Sequence, residues 1–173
     1  MWSNADVNQL RARDYLRADY IAALCETLSP LRATRSDDDP QMIVVDRDRD
    51  GVSFMSTPNF HEGDGPHRLS RSGTLRFGDS AHAEFRLKVP GPDRFILVRD
   101  GAELRFRYVD KAERWVGDAV LAGTYRDASG VEYRFGRDGI ATFPGRRPFL
   151  YTLAMDHVMS PYDYIDGEKP DAS

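Results

Sequence analysis

Short runs alternate apolar with charged residues, turn glycines recur between those runs, and one stretch near the N-terminus has helical spacing. Together these predict an all-β protein, an antiparallel β-barrel of about eight to ten strands with a short N-terminal α-helix. Strand side chains alternate between the two faces of a sheet, so a period-2 pattern marks one buried and one solvated face. Phe85, Leu87 and Val89 interleave with Glu84, Arg86 and Lys88. Leu104, Phe106 and Tyr108 interleave with Arg105 and Arg107, and Val131, Tyr133 and Phe135 with Glu132 and Arg134. The charged positions carry both signs, as expected for cross-strand ion pairs on a solvated surface. A sheet of this size limits its exposed edges by curling into a barrel or splitting into a sandwich.

Along the chain, Tyr20, Ile21, Leu24, Cys25 and Leu28 form an apolar stripe at helical spacing. Asp19 is placed to cap its start, and Ser29-Pro30 to stop it. Cys25 lies on that stripe and is expected to be buried. It is the single cysteine, which excludes an internal disulfide. RDYLR (13–17) is either a short strand or an extension of the helix, and the interrupting Asp14 and Arg17 favour the shorter helix. SDDDP (36–40) is a polar linker expected to be exposed.

DRDRDG (46–51) has the alternating aspartates and glycine of a calcium-binding EF-hand loop. Such a loop needs a bidentate glutamate at its twelfth position and helices on both sides. Thr57 stands there, and the flanks MIVV and VSFM are strand-like. The segment is therefore a hairpin connection with Asp50-Gly51 in its turn. The device recurs as Ser72-Gly73, Asp100-Gly101, Ser129-Gly130 and Asp138-Gly139, each followed by a strand with aromatic residues. Further strands are expected at 93–98, at 114–125 with a break near Gly117, and at 148–155. One domain spans 1–173: an N-terminal segment with the helix (1–30), a polar linker (31–40), the barrel (41–160) and an acidic C-terminal segment (161–173).

The chain has 173 residues with a net charge of −4, 30% charged and 40% apolar residues. That is ordinary for a globular domain and argues against a nucleic-acid binder. No apolar run reaches the ~18–20 residues that span a bilayer. MWSNADV has no basic or apolar leader region. A cytoplasmic start and a periplasmic chain whose signal peptide has been removed both fit.

Three stretches, YLRADYIAALCETLSP (15–30), NFHEG (59–63) and GTYRDASGVEYRFGRDGIATFPG (123–145), together resemble a diffuse group of bacterial lipocalin-like (calycin-type) β-barrel proteins, many of them lipoproteins of unassigned function. The resemblance implies a short strand, a helix ending at a Ser-Pro step and an antiparallel barrel. It supplies no activity, because barrels of this kind host many functions. Gly123-Thr124-Tyr125 is only distantly like the Gly-x-Trp of lipocalins and sits late in the chain, and no lipobox cysteine is present.

HEGDGPH (61–67) is the densest polar cluster. His61, Glu62, Asp64 and His67 are types that ligate zinc, but the histidines are six apart and Gly63, Gly65 and Pro66 exclude the helix of a zincin motif. A turn at a barrel mouth is the competing reading. No nucleophile elbow or glycine-rich phosphate loop is present. Near the C-terminus, Tyr162, Asp163, Tyr164, Ile165 and Asp166 interleave aromatic and acidic residues. That pattern suits an edge that steers toward a basic partner, or a last strand followed by a solvated tail. The expectation is a non-enzymatic binding protein without cofactor or metal. Its partner would be a protein that it inhibits or neutralises, such as a basic hydrolase or toxin. The alternatives are a carrier of a small apolar ligand in the barrel and a metal-dependent enzyme using HEGDGPH.

Overall fold

The computed structural model describes residues 7–34, 39–57, 60, 63–77, 84–153 and 165–168. Its main feature is an eight-stranded antiparallel sheet with the order β4-β3-β2-β1-β8-β7-β6-β5. The strands are β1 (Arg13–Arg17), β2 (Met42–Asp48), β3 (Gly51–Thr57), β4 (Asp64–Arg68), β5 (Thr74–Arg76), β6 (Glu84–Gly91), β7 (Arg94–Arg99) and β8 (Ala102–Asp110). Its end strands β4 and β5 approach each other, so the sheet forms a nearly closed barrel. The first β-strand joins the two halves, with Tyr15 opposite Ile43 on one side and Tyr108 on the other.

The DRDRDG segment is the β2–β3 hairpin. Asp48 pairs with Gly51 around Arg49-Asp50, and Gly51 has φ +116°, a conformation that L side chains rarely adopt. Asp48 is bonded within the protein. It bonds the Asp50 N–H at 2.8 Å and the Arg68 guanidinium at 2.6 Å, and these bonds, with Arg68 the larger influence, hold its carboxyl below the ordinary range.

Alternation along β1 feeds two cores. Tyr15 points into the barrel, where it packs with Ile43, Val45, Phe54, Phe95 and Phe106. Leu16 points outward and is covered by helices α1 (Ala18–Thr27) and α2 (Pro30–Ala33) and by α3 (Ala112–Val120), in a cluster with Tyr20, Leu24 and Val116. Helix α1 ends at Leu28, which takes the left-handed conformation usually held by glycine and bonds back to Leu24 O, and Ser29 Oγ accepts from Arg32 N to cap α2. Asp19 is not the cap of α1. Arg17 holds that position, and Asp19, in the first turn, accepts from Arg17 Nε at 2.7 Å and from Tyr20 N at 2.9 Å.

Three other expectations are corrected. Cys25 is exposed, because the buried face of α1 is Tyr20, Ile21 and Leu24, and the next residue after Leu24 turns about 100° away. The 114–125 segment is not a broken strand. It is the end of α3, whose inward residues Ala112, Trp115, Val116 and Val120 have helical spacing, followed by β9 (Gly123–Arg126). Within the linker, Pro40 is buried and Asp39 lies 2.7 Å from Arg99, with the side chain 15% exposed.

The remaining strands build a second sheet, ordered β13-β12-β11-β10-β9. It comprises β9, β10 (Glu132–Phe135), β11 (Ile140–Thr142), β12 (Phe149–Leu153) and β13 (Ile165–Glu168). Tyr133 and Phe135 therefore line this sheet and not the barrel interior. Tyr125, Phe135, Phe143 and Tyr151 meet edge to face on one side, with Phe135 5.8 Å from Tyr125 and 5.1 Å from Tyr151. Helix α3 packs on β12, where Gly117 lies against the Tyr151 ring.

Candidate functional site

The barrel interior is built from ring stacks. Phe95 lies 4.9 Å from Phe106, nearly parallel to it, and 5.0 Å from Tyr15, with Phe54 edge-on at 6.1 Å. Tyr15, Phe54 and Phe95 are fully buried. The Tyr15 hydroxyl donates to Pro92 O at 2.8 Å, and burial pushes its pKa up to about 12. A barrel of this strand number is narrow enough for its own side chains to fill.

Of the HEGDGPH cluster, His61 and Glu62 lie outside the described residues. Asp64 and His67 sit on β4. A bulge sets Phe54 opposite His67 and Ser56 opposite Asp64. The register puts His67 on the interior side, where its ring meets Phe77 edge-on at 5.3 Å. Its Nε2 is 3.2 Å from Asp64 Oδ1, close but not aligned as a hydrogen bond. His67 thus closes the seam between the end strands. Among the described residues no three His, Cys, Asp or Glu side chains converge as a metal site.

Of the C-terminal group, Tyr162, Asp163 and Tyr164 lie outside the described residues. Asp166 is on β13, paired with Thr152. Ile165, its neighbour, is exposed.

Sequence reasoning passed over a third place. The outer face of β6, β7 and β8 presents Arg86, Lys88, Arg94, Arg105 and Arg107 against two carboxylates, Glu84 and Glu103. Glu103 is shared by Lys88 at 2.9 Å and Arg105 at 3.1 Å, and those two cations, Lys88 first, hold its carboxyl below the ordinary range. Among the described residues Arg86, Arg94 and Arg107 make no ion pair. Arg94 and Arg107 are direct cross-strand partners. Beside them a groove of about 670 Å³ runs between the start of α1 and the β6–β7 turn, lined by Pro90, Pro92, Arg94, Ile96, Arg105 and Arg107.

The signal for this face was in the turn. Asp100 and Gly101 both have positive φ, as a two-residue hairpin loop of type I′ requires. Arg99 then pairs with Ala102, and five residues back along each strand Arg94 faces Arg107. Alternation alone shows charged residues of both signs; register shows that the like charges meet.

Comparison with protein-family models, with curated proteins and with solved structures finds no match to this chain. The fold and these side chains therefore carry the functional reading. No helix among the described residues is long and apolar enough to cross a membrane.

Proposed function

We propose that this chain is a non-enzymatic binding protein that engages a protein partner through the outside of its barrel, in the manner of inhibitors and immunity proteins. The observation that supports this is the ring packing of Tyr15, Phe54, Phe95 and Phe106 across the barrel interior. Carriers enclose their ligand in a pocket of several hundred Å³ within the fold. Here the side chains occupy that position, and the groove beside Arg94 and Arg107 opens on the outer wall.

The test is a titration of the purified chain with a panel of fluorescent apolar ligands, followed through the tyrosine and phenylalanine resonances of the interior. Binding outside the barrel predicts no saturable shift of Tyr15, Phe54 or Phe95. Stoichiometric binding of an apolar ligand that shifts those residues would establish the carrier instead. Partner capture with the chain as bait, followed by calorimetry on the purified pair, then tests the protein-binding half. A catalytic turnover lost on His67→Ala would replace both readings with the enzyme.

A further inference from the structure

We infer that the β6–β7–β8 outer face is the docking surface, and that its partner is an acidic, aliphatic-containing segment of another protein. This rests on the reading that the outside of the barrel binds protein. Like charges placed directly opposite each other destabilise a sheet, and Arg94 faces Arg107. The excess of positive charge is local, since the whole chain carries −4. An arginine presents a planar fork of donors matched to carboxylates. Arg86, Arg94 and Arg107, without ion-pair partners among the described residues, are available for such contacts.

The surface is not simply basic. Ile96 and Val98 lie half-buried among the cations, and Pro90 and Pro92 border the groove together with Asp93, whose carboxylate is already paired with Arg11 at 2.8 Å. Aliphatic contact area flanked by arginines, a residue type enriched at interfaces, suits a protein partner. A nucleic acid would be expected to find aromatic stacking platforms between the cations and a basic chain behind them. This face offers aliphatic side chains and a net-acidic chain. The C-terminal stretch suggested a basic partner; this surface calls for the opposite charge, and the two are tested separately.

The experiment uses the full chain and four probes: a twelve-residue peptide of alternating glutamate and leucine, a glutamate-only peptide of equal length, a thymidine dodecamer, and phosphatidylserine vesicles. Binding is followed by anisotropy and mapped by amide shifts. The Glu-Leu peptide is expected to bind most tightly, to shift Ile96, Val98 and Arg107, and to weaken at least tenfold in Arg94→Glu with Arg107→Glu. Arg126→Glu, on the second sheet, should leave it unchanged. Thermal melts verify folding of the variants, and Arg94→Gln with Arg107→Gln gives the neutral comparison. Equal or tighter binding of the oligonucleotide or vesicles at the same residues overturns the protein assignment. Absence of saturation, or shifts that map elsewhere, overturns the site itself. Neither result touches the apolar-ligand titration, so a failure here is distinct from a failure of the broader reading.

Discussion

The Asp14 carboxylate on β1 accepts a hydrogen bond at 2.7 Å from the backbone N–H of Ala112, 98 residues further along the chain, and so caps the start of α3. Burial raises the Asp14 carboxyl above its ordinary 3.8, outweighing the lowering by this bond and by Arg13 and Lys111. The folded chain then keeps the proton to higher pH than the unfolded chain. This group's contribution to stability therefore falls as pH rises from 3.8 through the folded value, and the cost is complete above it. Asp14→Asn keeps an acceptor and removes the charge, so it should raise stability at neutral pH and flatten that slope. Asp14→Ala should be about 1 kcal/mol less stable than Asp14→Asn, because the Ala112 N–H loses its partner. Urea unfolding across the acid range measures both.

Tyr15 behaves similarly at the alkaline end. Its pKa is pushed up to about 12 by burial, from an ordinary 10.0. Between those values the unfolded chain ionises and the folded chain does not, so stability should fall as pH rises through that window. Tyr15→Phe should remove this alkaline loss. At neutral pH it should cost about 1 kcal/mol for the bond to Pro92 O. Melts from neutral to alkaline pH compare the two slopes.

Phe95 is the centre of the ring stack. Phe95→Ala should lower stability by about 3–5 kcal/mol, the usual range for truncating a buried phenylalanine. The cavity it opens should admit a small apolar molecule that the unmodified chain does not bind. Denaturant unfolding with and without benzene tests both statements.

Cys25, exposed on α1, should react with a thiol reagent in the native protein at nearly the rate seen in denaturant. Cys25→Ser should change stability by less than about 0.5 kcal/mol. Slow native labelling would place the thiol in a contact that α1 does not show.

Much of the barrel was legible because hairpins announce themselves. Asp100-Gly101 fixes a two-residue turn, and the turn fixes pairing for residues on either side; the β2–β3 hairpin is where the sequence places it, although its turn residues are Arg49-Asp50 and Gly51 already pairs with Asp48. Helix α3 was not legible, although Ala112, Trp115, Val116 and Val120 have the spacing. Gly117 read as a strand break, whereas it sits inside the helix where α3 lies against the Tyr151 ring, a contact from a distant strand that no local signal marks. The division into two sheets was hidden for the same reason. Alternation in Tyr133 and Phe135 shows that one face is apolar and says nothing of what covers it. Site residues fared less well: the side to which His67 turns is set by the β3–β4 bulge, which no local signal marks.

The position of β1 has a kinetic consequence. Synthesis delivers β1 before the other strands of this sheet, yet one of its two neighbours, β8, comes from residues 102–110. The hairpins β2–β3, β6–β7 and β7–β8 can each form from near neighbours, but the two halves have no joint until β1 has been matched to both. A high share of such distant pairings raises contact order and places folding on the millisecond-to-second scale of barrels, not the microsecond scale of helical bundles. Until that step, the edges of β2 and β8 stand open as pairing templates, and this is the interval in which a nascent chain would most need protection from aggregation.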